Sequence, residues 1–287
     1  MPPAGAGRGK EARIPTLSTS REWLIAPPHA EREAFARSAG VSPLVAQLLL
    51  NRGVSDPARV RPFLEVSPSD LLQPETLPGA MEAAERLAAA VRNRRRIVIY
   101  GDYDVDGVTA ITILWHVLRL AGADVHYYVP SRFDEGYGLN AAALEQIAAD
   151  GGQLVISVDC GITAVEPVRS GKAAGLEIIV SDHHQAQDAL PEADVLVHPV
   201  ALGASPNPHL CGAGVAFKIA WALCQRLSGT RRVGSPFREF LVEATAFAAL
   251  GLIADVVPLV GENRVLASFG LHQLARSSNV GLRALIE

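Results

Sequence analysis

The chain has 287 residues, of which 49% are hydrophobic and 20% charged, and its net charge is −4. That length can bury a sizeable core, and the mixture is that of an ordinary folded protein. It excludes a disordered chain and a nucleic-acid binder recognisable by basic charge alone. Cys160, Cys211 and Cys224 form no C-x-x-C pair, which argues against a zinc ribbon or disulfide scaffold and fits a reduced, cytoplasmic setting.

Residues 1–22 read as a disordered tail, and the Gly/Pro/Ala-rich start has no apolar stretch of signal-peptide type. Residues 23–80 read as a helical extension and linker. Helices are expected over Glu31–Ala39 and Pro43–Asn51, the second with Leu44, Val45, Leu48 and Leu49 at helical spacing and Gly53 as its stop. Ser55-Asp-Pro carries helix-start chemistry, and Pro62, Pro68, Pro74 and Pro78 mark the linker. From residue 81 to 287 a single large domain is expected, beginning with an amphipathic helix over Met81–Val91. The basic run Arg92-Asn-Arg-Arg-Arg96 that ends it reads as a solvated helix end facing its own dipole.

Strands and helices then alternate. Ile97–Tyr100 precedes a helix over Val108–Ala121, and Val125–Val129 precedes one over Asn140–Ala149. Leu154–Val158 precedes a helix over Ala164–Ala174; Ile178–Val180 and Val195–Val197 follow, then a helix near Gly214–Leu227. This order implies an α/β fold, a doubly wound and mostly parallel sheet flanked by helices. Leu241–Val260 is about as long as a membrane span, but Glu243, Asp255 and Pro258 interrupt it, so it reads as a buried helix running into a functional loop.

The stretch Ile97-Val-Ile-Tyr-Gly-Asp102-Tyr-Asp104-Val-Asp106-Gly-Val-Thr109 places three carboxylates at alternate positions after a buried strand. In extended chain they would point the same way and repel one another unless cations sat among them. A calcium loop would need an acid at its twelfth position, counting Asp102 as the first, where Ile113 stands. Asp104-Val-Asp106-Gly-Val-Thr109 also resembles the start of a haloacid-dehalogenase-type phosphatase, and an acidic solvated turn is the plainest alternative.

Asp159 and Asp182-His183-His184 also follow strands directly. Ligands in such sheets bind beyond the carboxyl ends of the strands, so these groups should meet Asp102, Asp104 and Asp106 at one edge. Asp255 lies in an apolar stretch and needs a partner, which metal ligation would supply. A set rich in oxygen, poor in imidazole and without thiolate favours Mg²⁺ or Mn²⁺. Two such ions would bring the −4 chain close to neutral, so its acidity does not exclude a polyanionic substrate.

Gly101-Asp-Tyr-Asp-Val-Asp-Gly107, Val158-Asp-Cys-Gly-Ile162, Asp182-His-His184 and Ala254-Asp-Val-Val-Pro258 resemble, in order, the motifs of the DHH phosphoesterase superfamily. Pro130-Ser-Arg-Phe-Asp-Glu-Gly-Tyr-Gly-Leu139 and Leu210-Cys-Gly-Ala-Gly-Val-Ala-Phe-Lys218 narrow the resemblance to its bacterial exonucleases specific for single-stranded DNA. The resemblance implies two-metal hydrolysis of single-stranded DNA from its 5′ end, in DNA repair and recombination. It implies Asp102, Asp104, Asp106, Asp159, His183 and Asp255 as ligands of two Mn²⁺ or Mg²⁺ ions, with Asp159 bridging. Asp159, His183 and His184 then form the catalytic group, His184 hydrogen-bonding the scissile phosphate or orienting its neighbours. Arg132, Tyr137 and Lys218 fall in matching motifs and become candidate nucleic-acid contacts, while Asp182 and His198 support the ligands.

His198 stands where that branch usually carries asparagine. Tyr100 stands where DHH enzymes of oligonucleotides, cyclic dinucleotides or pyrophosphate usually carry histidine, which disfavours that alternative. The haloacid-dehalogenase reading leaves Asp159, Asp182-His-His and Asp255 unexplained. A non-catalytic DNA-binding relative is the third alternative, and the intact acidic motifs speak against it. Gly212-Ala-Gly-Val-Ala-Phe217 has the outline of a dinucleotide fingerprint but lacks its third glycine. The branch continues into a DHH-associated domain and an OB-type domain that this sequence does not include. A monomer is expected, without membrane attachment, meeting a helicase or single-strand-binding protein in the longer context.

Overall fold

The structure is a computed structural model that describes residues 24–203 and 205–287; the expected disordered tail lies outside the described residues. Two compact units divide at Arg61/Pro62, inside the expected extension and linker. The first holds α1 (Arg32–Ala39) and α2 (Pro43–Asn51), the latter capped by the Ser42 side chain with Pro43 in its first turn. α2 buries Ala46 and Leu49, while Leu44 and Leu48 stay exposed, so only part of the expected apolar stripe is core.

After α3 (Val60–Leu64) and two short 3₁₀ turns, α4 (Ala80–Arg92) leads into the second unit's sheet. The strands are β1 (Ile97–Gly101), β2 (Val125–Tyr128), β3 (Leu154–Val158), β4 (Glu177–Ser181) and β5 (Val195–Val197). They lie in the order β2-β1-β3-β4-β5, all parallel. β-branched residues dominate the central strands, and both faces of those strands are buried, as a parallel sheet between helices requires. Among the described residues no helix is long and apolar enough to cross a membrane.

Alternation along each strand sends side chains into two cores. Ile97, Ile99, Leu154, Ile156 and Ile179 join the larger one, built with α4, α5 (Val105–Leu120), α8 (Gly212–Ser228), α9 (Phe237–Ala254), α10 (Gly261–Leu274) and α11 (Val280–Ile286). Val98, Tyr100, Val155, Ile178 and Val180 join the smaller one, with α6 (Ala141–Ala149) and α7 (Val165–Ala173). The basic run after α4 is less solvated than its composition suggests. Arg95 pairs with Glu177, and Arg96 bonds Asp124 and the Asp150 carbonyl, tying the entrance of β1 to its neighbours.

The register places one row of side chains across the carboxyl edge. Gly101 pairs with Val158, Val158 with Ser181 and Ser181 with Val197, so Asp102, Asp159, Asp182 and His198 each follow an aligned strand end. The chain winds outward to β2 on one side of β1 and to β3, β4 and β5 on the other. The switch in winding therefore falls between β1 and β3, where such sheets open a crevice.

Candidate metal centre

Asp102, Asp104 and Asp106 do not converge as alternate residues of one strand. β1 ends at Gly101, Asp104 is the N-cap of α5 and accepts from the Gly107 amide at 2.9 Å, and Asp106 lies inside the first helical turn. The helix starts three residues before its expected position because Asp104 is good capping chemistry. Strand end and cap bring Asp102 and Asp104 into one group with Asp159, while the first turn turns Asp106 towards His183 and Asp255. Asp102 accepts from the Tyr103 amide at 2.7 Å, and Asp106 receives both first amides of α8, Gly212 at 2.5 Å and Ala213 at 2.8 Å. Those amides have no partner within their own helix, and the α8 dipole favours the negative charge.

Asp159 differs from all of these. It follows β3 with a left-handed backbone, φ 62°, and is almost wholly buried. Among the described residues, neither of its carboxylate oxygens has a hydrogen-bond partner, nor has the buried Nε2 of His183, 3.1 Å away. Burial and the charges of Asp106 and Asp104 push the Asp159 carboxyl up to about 10. A buried carboxylate without donors is costly, and a cation is what this environment lacks.

The candidate ligand atoms fall into overlapping groups that each fit within 4.8 Å: Asp102, Asp104 and Asp159; Asp106, His183 and Asp255; and Asp159, His183 and His184. His183 Nε2 lies 3.6 Å from Asp106 and 3.8 Å from Asp255. Burial raises the carboxyls of Asp102 and Asp255 as well, with His183 opposing the shift at Asp255. All six residues expected as ligands thus meet, two sets of three joined where Asp159 touches His183. The donors are five carboxylates and one imidazole, which suits hard divalent ions.

Asp182 holds the histidine pair from behind. It is buried and accepts from the amides of Ile162, His183 and His184 and from His184 Nδ1 at 2.8 Å. Burial alone would raise its carboxyl, but the bonds from His184 and Ile162 outweigh it and hold it low. The same bond raises the His184 imidazole against its burial. His198 is buried too. Its Nδ1 accepts from the amides of Val200 and Ala201, which leaves Nε2 as the donor to the His184 carbonyl at 2.8 Å.

Tyr137 comes to the centre. Its hydroxyl lies 3.3 Å from the Asp159 carbonyl and 3.2 Å from His184 Nδ1. Arg132 is exposed nearby, stacked 5.2 Å over the ring of Tyr103, and Phe133 beside it is 97% exposed. Lys218 does not belong with them. It is wholly buried in α8, paired with Glu262 and bonded to the Leu72 carbonyl, so no phosphate can reach its ammonium.

Three glycines that carry no chemistry in the sequence make the packing possible. A Cβ on Gly212 would lie 2.5 Å from Asp159, one on Gly107 2.5 Å from the Asp102 carbonyl, and one on Gly251 would collide with Asp106. Gly212 opens the stretch that has the outline of a dinucleotide fingerprint; it admits a carboxylate, not a phosphate. Only Gly107, in the first turn of α5 directly after the acidic end of β1, carries a signal that sequence alone could have used.

The sequence model of the DHH family, N-terminal domain, matches residues 96–248. The single-stranded-DNA-specific exonuclease RecJ of Bacillus subtilis is 38% identical over 273 residues, 94% of this chain and 33% of that protein. RecJ of Thermus thermophilus is 39% identical over 265 residues, 92% of this chain and 37% of that protein. The crystal structure of RecJ in complex with Mn²⁺ from Thermus thermophilus superposes with a TM-score of 0.71 at 36% identity, covering 91% of this chain and 36% of that one. The chain thus spans between a third and two-fifths of the length of these two curated relatives. Since the family match takes in β1 to β5 and most of α9, with the acidic strand ends inside it, the chain is a member of the DHH family.

Proposed function

We propose that this chain is the metal-binding catalytic part of a 5′-to-3′ exonuclease that hydrolyses phosphodiester bonds in single-stranded DNA. The observation that carries the reading is Asp159, a buried carboxylate without hydrogen bonds among the described residues, placed beside His183 and between two groups of candidate ligands. Likeness to RecJ relatives at 38% and 39% identity supports the substrate. The Mn²⁺ and Mg²⁺ complexes of Thermus thermophilus RecJ support the kind of ion.

Asp102, Asp104 and Asp159 would hold one ion and Asp106, His183 and Asp255 the other, with Asp159 facing both sets. When bound, the two ions supply the positive charge that neutralises a phosphodiester and activates water. The protein's share is placement. Amides of α8 fix Asp106, the α5 cap fixes Asp104, and Asp182 fixes both histidines. His184, whose imidazole Asp182 raises and holds through Nδ1, is placed to donate to a phosphate oxygen at the exposed rim. Arg132 and Tyr137 lie on the same side, where an arginine plane and an aromatic ring suit a single strand. A cytoplasmic, monomeric enzyme that meets a helicase or single-strand-binding protein goes with this reading, on resemblance alone.

Calorimetric titration of the chain with Mn²⁺ tests the metal centre, with two binding events expected. In the longer protein, Asp159→Ala should abolish Mn²⁺-dependent degradation of 5′-phosphorylated single-stranded DNA. Undiminished degradation would overturn the two-ion assignment.

A further inference from the structure

Behind the ligands lies a buried polar cluster that the proposed reaction does not use. Glu262, in the first turn of α10, pairs with Lys218 of α8 and accepts from the Leu72 amide at 3.1 Å and from Asn207 at 3.3 Å. Lys218 in turn holds the Leu72 carbonyl. Next to the pair, Asn263 has no exposed surface, and both ends of its amide are engaged. Its oxygen accepts from Asn207 at 2.8 Å, and its nitrogen donates to the carbonyls of His209 at 2.5 Å and Pro258 at 3.1 Å. These bonds agree on a single orientation of the amide.

The two carbonyls belong to the two loops that end at the metal centre. His209 is three residues before Gly212, whose amide holds Asp106; Pro258 is three residues after Asp255. Asp255 itself caps α9, and the next residue, Val256, is exposed with a left-handed backbone, φ 60°. With so little burial of its own, the loop that follows Asp255 would be free to move against the end of α9. One side chain bridges both loops, three residues from Gly212 on one side and three from Asp255 on the other.

A buried ion pair and three buried amide bonds are a poor way to gain stability, because apolar side chains of similar volume often do as well. They are a good way to fix geometry, since each donor accepts few arrangements. We propose that Asn263, held by Asn207 and the Lys218–Glu262 pair, is a positioning residue. It sets the separation between the start of α8 and Asp255, and so the affinity for the ion taken by Asp106, His183 and Asp255. This rests on the metal reading above.

The test is calorimetric titration of the chain with Mn²⁺ alone, for wild type, Asn263→Ala and Leu144→Ala, each with its thermal midpoint measured in chelator. Leu144 is buried in the smaller core and serves as a control for destabilisation as such. Asn263→Ala should weaken one of two binding events about 10-fold, the scale on which groups supporting metal ligands act, while Leu144→Ala leaves both unchanged. If Asn263→Ala does not fold, Asn263→Ser, whose hydroxyl cannot span both carbonyls, carries the same expectation. Unchanged binding in the Asn263 variant, or an equal loss in Leu144→Ala, would overturn the inference and leave the metal reading standing. A wild-type chain that binds no Mn²⁺ would overturn both.

Discussion

The two faces of the sheet are built from the same strands but contribute unequally to the candidate metal centre. The larger core packs α5, α8 and α9, and from these come Asp104 and Asp106, the amides that hold Asp106, and Asp255. The smaller core packs α6 and α7, neither of which supplies a candidate ligand, and approaches the centre through Tyr137 in the loop before α6. The strand ends between them supply Asp102, Asp159 and the histidines. One face is thus tied to the chemistry through its packing, while the other mainly holds the sheet. In the first, a methyl group in the wrong place should disturb ion binding; in the second, a large cavity should not.

The comparison breaks most sharply at the shared strand end, where Asp159→Ala should remove activity altogether, as set out above. On the larger face, Gly212→Ala forces a Cβ to within 2.5 Å of Asp159. Overpacking of this kind costs about 1–3 kcal/mol, and here Mn²⁺ titration should show at least one binding event lost. On the smaller face, Leu144→Ala should cost about 2–5 kcal/mol in denaturant unfolding with both Mn²⁺ affinities retained. Loss of ion binding in that variant would erase the distinction between the faces.

Two smaller effects sharpen it. Folding raises the Asp159 carboxyl from 3.8 to about 10. Its contribution to stability is therefore complete below pH 3.8 and is lost as pH rises through about 10. In chelator the thermal midpoint should fall across that range more steeply for wild type than for Asp159→Asn, and Mn²⁺ should offset the fall. Smallest is Tyr137→Phe, which removes one neutral hydroxyl beside the Asp159 carbonyl. It should cost about 1 kcal/mol or less in unfolding experiments and leave Mn²⁺ affinity in place.

Much of this arrangement is legible in the sequence because apolar strands end abruptly in acids and histidines. The parallel sheet brings such ends to one edge, so Asp102, Asp159 and His183 can be grouped without a structure. Asp104 and Asp106 join them by a different route from the one their spacing suggests. Alternation along a strand and capping of a helix both put them near Asp102, and spacing alone does not separate the two. Lys218 misleads because its partner, Glu262, lies in a distant helix, and only packing shows that an ammonium in a glycine-rich motif is buried. Gly212 and Gly251 carry no chemistry of their own. Their role exists only against the carboxylates that they admit.

The aligned strand ends carry one more consequence. Asp102, Asp159, Asp182 and His198 follow residues paired in a single register across four strands. A slip of one residue in any of these pairings would turn that strand's side chains to the opposite face and move its polar group out of line. Divalent ions stabilise whatever state binds them, and only the correctly paired sheet presents the full set. An ion bound by this full set would therefore stabilise the sheet in the one register in which the row is complete.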